Sequence, residues 1–244
     1  IVRLIHQQIN LLEQNDNQRR ELLTHLSHDL RTPLASLQGY LEILTLKKAD
    51  LNETQQQEYL SITLNNCKQL KHLIDQIFEL AHLESGRVSV NNELFNLGEL
   101  VYDIVAKFAL KAQKSQVKLV IEPKVCDFNT LCDIAKLERV LSNLIENALR
   151  HTPENGSITI NVFAKDNKLT IQVSDTGSGI KAEEINYIFD ARYRASNAVG
   201  NKKQHGGLGL AISKRLLHIL NSDIKVQSEF GQGTQFEFSI RQAI

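Results

Sequence analysis

The sequence is short of the features that mark several large protein classes. It carries no excess of either charge: 28 basic residues stand against 28 acidic ones, for a formal net charge of zero. That removes the electrostatic case for a nucleic-acid partner, or for contact with an anionic membrane. Only three cysteines occur, Cys67, Cys126 and Cys132, an odd number with no two at C-x-x-C spacing. They predict reduced thiols in a cytosolic protein, without a disulfide framework or a zinc site. No apolar run approaches the ~18 residues of a membrane-spanning helix. No signal peptide, internal repeat or low-complexity tract is visible. The first residue is Ile1 rather than methionine, and it falls within a helical pattern. The expectation is a fragment, whose upstream part holds a sensor and membrane spans.

What is present is an ordinary globular mix, 42% hydrophobic and 23% charged over 244 residues, enough for one large domain or two small ones. The first third is helical in pattern. Leu4, Ile5, Ile9 and Leu12, then Leu22, Leu23, Leu26, Leu30, Leu34, Leu37, Leu41 and Leu44, recur at three- and four-residue spacing. They predict one long helix over 1–46 with an apolar stripe, diluted at 13–20 and kinked at Pro33. Residues 47–54 are polar and break the pattern. A second helix is predicted over 55–82, its apolar face carrying Tyr59, Ile62, Cys67, Leu70, Leu73, Ile74, Ile77, Phe78 and Leu80. Two such helices on a short connection make an antiparallel hairpin. One hairpin cannot cover both stripes, so two are expected to pair into a four-helix homodimer.

Residues 84–87, Glu-Ser-Gly-Arg, end that helix, and the pattern turns mixed. Helices are predicted over 97–115, 134–150, 182–189 and 209–220. Strands are predicted over 117–122, 157–163, 168–174, 224–229 and 235–240, with Asp166-Asn167 as a hairpin turn. The expected class is α+β, with several helices on one face of a mixed sheet.

Two groups of residues carry chemistry. The first is Ser27-His28-Asp29-Leu30-Arg31-Thr32-Pro33-Leu34. Leu26, Leu30 and Leu34 fall on the stripe, and His28, two residues from the nearer leucines, points away from it. A neutral imidazole has a lone pair that can accept a phosphoryl group. Asp29 beside it can hold the other ring nitrogen or take its proton. Thr32 lies four residues on, on the same face as His28, where its hydroxyl can orient a water for the reverse reaction. Taken alone, a His-Asp pair on an amphipathic helix reads as a solvated surface.

The second group is spread over four segments. Asn143 and Asn147 are four apart on one predicted helix, and Arg150 follows on the same side. Asparagine carbonyls suit Mg²⁺, and an arginine suits a phosphate oxygen. Asp175-Thr176-Gly177-Ser178-Gly179-Ile180 follows a strand; an aspartate there can accept a hydrogen bond from an adenine amino group, with glycines letting the backbone come close. Gly206-Gly207-Leu208-Gly209-Leu210 runs into a helix, whose first backbone amides attract phosphate. Gly231-Gln232-Gly233-Thr234 reads either as part of the same site or as a hairpin turn only. Each segment singly has a structural explanation.

The string His28 to Leu34 resembles the phosphoacceptor box of sensor histidine kinases. The other segments, in this order, resemble the asparagine and glycine boxes of the ATPase fold shared by histidine kinases, gyrase, the Hsp90 chaperones and mismatch-repair ATPases. Ile188-Phe189-Asp190-Ala191-Arg192-Tyr193-Arg194 resembles the kinases' aromatic box, with the polar stretch 196–205 as a lid over the nucleotide. Arg192 stands where a second aromatic is usual, and His205-Gly206 replaces a more usual glycine followed by serine or threonine.

The resemblance implies a multidomain chain: a signalling helix over 1–20, a dimerisation and phosphotransfer hairpin over 21–86, a linker over 87–95 and an ATP-binding α/β sandwich over 96–244. It implies ATP and Mg²⁺ as cofactors. Asn147 is then the principal metal ligand with Asn143 beside it, and Asp175 is the adenine reader. His151 takes the place where the kinases often carry tyrosine. Arg150, Gly177, Gly179, Ile180, Tyr193, Gly207, Leu208, Gly209, Leu210 and Thr234 complete the nucleotide site. His28 is the phosphoacceptor with Asp29 and Thr32 in support, and the phosphoryl group passes on to a response-regulator receiver domain. The fragment is expected to be cytoplasmic with no membrane contact of its own, its parent anchored in the bacterial inner membrane.

Two rivals are weighed in the same residues. An ATPase of this fold that only hydrolyses ATP resembles its relatives in placing a glutamate four residues before the metal asparagine, and that position is Asn143 here. A non-catalytic scaffold needs none of His28, Asp29, Asn147 and Asp175, and all four are present.

Overall fold

In the computed structural model, which describes residues 24, 27, 29–46, 50–86, 88–124, 127–191 and 207–243, the leucine-rich stretch 29–46 is a helix, α1, unbroken at Pro33. After a short connection, α2 (Glu53–Glu84) begins on a reciprocal cap: the Gln55 amide donates to Asn52 Oδ1 at 2.8 Å, and the Asn52 amide donates to Gln55 Oε1 at 3.1 Å. The two helices run antiparallel. Tyr40 and Tyr59 stack with ring centroids 5.3 Å apart, and Asn66 Nδ2 donates to Ser36 Oγ at 3.0 Å. Leu34, Leu41, Leu60, Leu64 and Phe78 stay exposed in the single chain. Leu34, expected on the buried stripe, is therefore open; one hairpin has too few neighbours to cover it.

The described residues divide into two units by their internal contacts, one ending at Phe78 and one made of Glu79 onward. The second unit holds β1 (Glu93–Asn96), α3 (Leu97–Lys114), β2 (Lys118–Glu122), β3 (Asn129–Cys132), α4 (Ile134–His151), β4 (Ser157–Lys165), β5 (Lys168–Asp175), α5 (Leu208–Ile219), β6 (Ile224–Glu229) and β7 (Gly233–Arg241). Five strands form a mixed sheet in the order β2-β4-β5-β7-β6, parallel only between β2 and β4. The short β1 and β3, absent from the predicted elements, pair antiparallel apart from it.

Alternation decides which face is buried. Ile158, Ile160 and Val162 of β4, Leu169, Ile171 and Val173 of β5, and Phe236, Phe238 and Ile240 of β7 are buried and lie opposite one another in register. The alternating residues Asn161, Gln172 and Glu237 form a polar ladder on the other face. α3 and α4 cover the apolar face, and α5 packs on α4. This is the expected arrangement of helices on one side of a mixed sheet. The one expected helix that fails is 182–189. Its amides reach back three residues, Glu184 to Lys181, Tyr187 to Glu184 and Asp190 to Tyr187, each at 2.9 Å, so it forms turns around a 3₁₀ helix, Ile185–Tyr187. No helix of the described residues is long and apolar enough to cross a membrane.

Candidate active site

The site is built around α4. Asp133 caps its N-terminus by accepting from the Lys136 amide at 3.0 Å. Leu137, Val140, Leu141, Leu144, Ile145, Ala148 and Leu149 bury one broad face. Arg139, Asn143, Asn147 and Arg150 fall three and four apart, so they share a stripe along the helix.

Members of that stripe differ in what they touch. Asn143 is buried, and its side-chain amide donates to Gly209 O and to Ser213 Oγ, both at 3.2 Å. Ser213, fully buried in α5, returns a bond to Gly209 O at 2.9 Å. Asn143 thus ties α4 to the first turns of α5 through its nitrogen and keeps its carbonyl oxygen as an acceptor. Asn147, one turn on, is half-buried and makes no hydrogen bond to a described residue. Arg150 likewise has no hydrogen-bond or ion-pair partner among the described residues; burial lowers its pKa from the ordinary arginine value, and Glu146 opposes the shift. A half-buried guanidinium that makes no direct ion pair with a described residue gains from a bound anion. Glu146, beside Asn147 in sequence, turns instead to α3, where Lys111 Nζ sits 2.8 Å from its Oε1.

Asp175 closes the apolar row of β5. Register places it between Ile158 of β4 and Thr234 of β7, and Thr234 lies opposite Ser228 of β6. Its carboxylate is buried and accepts from the Gly177 amide at 2.8 Å. Burial pushes its pKa up to about 6, against the pull of the Gly177 and Thr234 amides. Position 177 admits only glycine: a Cβ there would stand 2.6 Å from both Asp175 Oδ1 and the His151 carbonyl oxygen. The loop that follows is fastened on both sides. The Ser178 amide donates to His151 O at 3.3 Å, at the end of α4. The Ile180 amide donates to Ser228 Oγ at 2.9 Å, and the Gly231 amide to Ser178 O at 2.8 Å. Ser228 Oγ also lies 2.9 Å from Thr234 Oγ1.

α5 starts from Gly207, whose φ of +64° is left-handed and which supplies no side-chain cap. The amides of the first turn, through Leu208, Gly209 and Leu210, are therefore available to an anion. Phe189 is stacked edge-on against Phe236 with centroids 6.1 Å apart and lies under Lys214 Nζ at 5.4 Å.

The structure thus gathers Asn143, Asn147, Arg150 and His151 on α4, Asp175 at the end of β5 with Gly177, Gly179 and Ile180 after it, Gly207 to Leu210 at the head of α5, and Thr234 on β7. Asp29 and Thr32 lie on α1, in the first unit. His28 and Tyr193 lie outside the described residues, as do the expected signalling helix 1–20 and the stretch 192–206. Ser213 and Ser228 were not singled out from sequence. The signals were faint: a serine four residues after Gly209 in an apolar helix, and one on the inward alternation of β6.

This set of groups suits a magnesium nucleotide. Arg150 can pair with a phosphate oxygen, the Asn147 amide makes no hydrogen bond to a described residue, and a buried carboxylate with a raised pKa gains from a donor such as an exocyclic amine.

Comparison with known proteins agrees with that chemistry. Residues 18–86 match the family model of the His Kinase A (phospho-acceptor) domain, and residues 132–244 that of the Histidine kinase-, DNA gyrase B-, and HSP90-like ATPase. The chain is 32% identical over 229 residues to the circadian input-output histidine kinase CikA of Synechocystis sp., covering 92% of this chain and 30% of that protein. It is 31% identical over 230 residues to the sensor histidine kinase WalK of Bacillus subtilis, covering 93% and 37%. The chain thus spans about a third of the length of the curated relatives it matches. Among solved structures, histidine kinase ThkA in complex with response regulator protein TrrA shares the fold, with a TM-score of 0.72 at 23% identity over 95% of this chain and 66% of that one.

Proposed function

This chain belongs to the sensor histidine kinases, and we propose that it moves the γ-phosphoryl group of ATP onto its own His28. The observation that carries this reading is the α4 stripe: Asn147, with no hydrogen bond to a described residue, and Arg150 lie one and two turns beyond an asparagine that fixes the head of α5.

Asp175 accepts from the adenine amino group, with Thr234 beside it and the Gly177–Ile180 backbone against the ring. Asn147, with the carbonyl of Asn143, holds Mg²⁺, which when bound neutralises phosphate charge. Arg150 and the first amides of α5 hold the phosphate oxygens. His28, in its neutral form, attacks the γ-phosphorus in line. A nitrogen–phosphorus bond forms, the bond to the bridging oxygen breaks, and ADP leaves with that electron pair. Asp29 takes up the proton of the other ring nitrogen. The phosphoryl group then passes to an aspartate of a response-regulator receiver domain, and Thr32 assists the reverse hydrolysis. A histidine kinase and a response regulator protein occur together in the ThkA complex with TrrA. The exposed leucines of α1 and α2 are the face on which two copies dimerise. The segment 84–92 lets the ATP-binding unit swing, and the fragment works in the cytoplasm below a membrane-anchored sensor.

Plain ATP hydrolysis is the weaker reading. Asn143 stands where a general base is needed, and Glu146 is engaged by Lys111. Incubation with γ-labelled ATP and Mg²⁺ tests the proposal: label on the wild type that resists base and is lost in acid supports it, and label that persists in His28→Gln sinks it.

A further inference from the structure

The last turns of α2, from Glu79, belong with the ATP-binding unit rather than with the hairpin. A fork-to-fork ion pair holds them there. Arg139 Nε donates to Glu79 Oε1 and Oε2, each at 3.1 Å, and Nη2 donates to Oε2 at 2.7 Å. Both side chains are about two-thirds covered, with 31% of Arg139 and 27% of Glu79 exposed. Leu80 and Leu83, on the adjoining face, are buried. Arg215 of α5 donates through Nε to Leu83 O at 3.2 Å, satisfying one of the carbonyls that a helix end leaves open. Further along, the Asn91 amide donates to Asp133 Oδ2 at 3.0 Å, at the cap of α4. The connection between is thus fastened at both ends to α4. In its middle Gly86 has a φ of +70°, with open space around it.

These contacts sit on the helix that carries the nucleotide stripe. Arg139 is one turn ahead of Asn143 and two ahead of Asn147. A bidentate arginine–carboxylate pair is stronger and more directional than a single charged contact. While it is closed, the last turns of α2 are held against α4, and a helix bends only at the cost of its backbone bonds. Reorientation about 85–90 has to open the pair first.

We propose that Glu79 and Arg139 are a positioning pair that acts as a latch, restraining the swing of the ATP-binding unit that phosphorylation of His28 requires. The proposal rests on the kinase reading above. Neither residue touches nucleotide or phosphoacceptor in it; both act through the placement of α2.

The test uses the full chain. Glu79→Gln, Arg139→Gln and the exchange Glu79→Arg with Arg139→Glu are compared with wild type. Three readouts are taken: the initial rate of labelling from γ-labelled ATP across ATP concentrations, the affinity for an unhydrolysable ATP analogue, and amide exchange over 80–92. Each neutralised variant is expected to label about threefold faster at saturating ATP, with KM and analogue affinity unchanged and exchange over 80–92 faster. The charge exchange is expected to return both rates to near wild type. Labelling that stays the same or slows with analogue affinity intact, or a charge exchange that restores nothing, overturns the latch. If wild type takes up no label, the kinase reading fails by itself. The latch is then decided by exchange alone, and unchanged protection of 80–92 in Glu79→Gln overturns it.

Discussion

The side-chain nitrogen of Asn143 is bound to Ser213 Oγ at 3.2 Å, while Asn147, one turn along the same helix, has no hydrogen bond to a described residue. Two asparagines alike in sequence therefore do different work. Asn143 is a buried tie between α4 and α5, and Asn147 is a group held open. Removing each should separate stability from binding. Asn143→Ala is expected to lose about 1–3 kcal/mol by removing the two buried side-chain bonds that tie α4 to α5, with Gly209 O keeping only its bond from Ser213 Oγ. Asn147→Ala is expected to change stability by less than ~0.5 kcal/mol and to weaken Mg²⁺-dependent nucleotide binding at least about tenfold. Thermal melts and analogue titrations with and without Mg²⁺ read both; equal losses of stability would merge the two roles.

Asp175 predicts a pH signature. Its carboxyl keeps a proton to about pH 6 in the folded chain, against an ordinary value of 3.8. Between those values the folded state binds more protons than the unfolded one, so stability falls as pH rises through the window and the cost is complete above it. At roughly 1.4 kcal/mol per unit, that cost reaches about 3 kcal/mol as an upper figure. Asp175→Asn should therefore raise the melting temperature of the nucleotide-free chain at pH 7.5 and much less at pH 4. Nucleotide affinity should run the other way and weaken as pH drops below about 6, where the acceptor is lost. Titration of the analogue from pH 5 to 8 checks this, and a flat profile contradicts the adenine role.

Much of this arrangement was legible in the sequence. The apolar rows of β4, β5 and β7 alternate cleanly because one sheet face is buried, and α4 shows its stripe because its other side is polar. The short β1 and β3 were not legible: with four residues each, and with Leu94 and Leu131 exposed, they give no period to read. Residues 182–189 have helical composition, but their amides settle into three-residue turns. The order of the site segments was legible, and their joining was not. Asn143 meets Ser213 seventy residues later, and Glu79 meets Arg139 sixty residues later, at separations no local spacing encodes.

Gly177 gives a steric prediction. A methyl group there would stand 2.6 Å from Asp175 Oδ1, whose carboxylate would have to rotate, and 2.6 Å from the His151 carbonyl oxygen, which cannot retreat without moving the end of α4. Gly177→Ala is expected to cost about 1–3 kcal/mol and to weaken analogue binding about tenfold or more. An alanine variant with unchanged melting temperature and affinity would show that the loop has more room than this packing allows.

Glu146 separates kinase from hydrolase. Its carboxylate pairs with Lys111 at a partly exposed position, so Glu146→Gln should shift stability by less than ~1 kcal/mol. Labelling of the chain should change less than about twofold, since no base is lost from the reaction. A collapse of phosphate release in this variant, with nucleotide still bound, would point to water activation by Glu146.

The most direct measurement is the fate of the γ-phosphate. Wild-type chain incubated with γ-labelled ATP and Mg²⁺ should take up label that withstands base and is lost in acid. His28→Gln should take up none while binding the analogue as wild type does. Label that survives acid, or that appears equally on His28→Gln, would contradict the account at its centre.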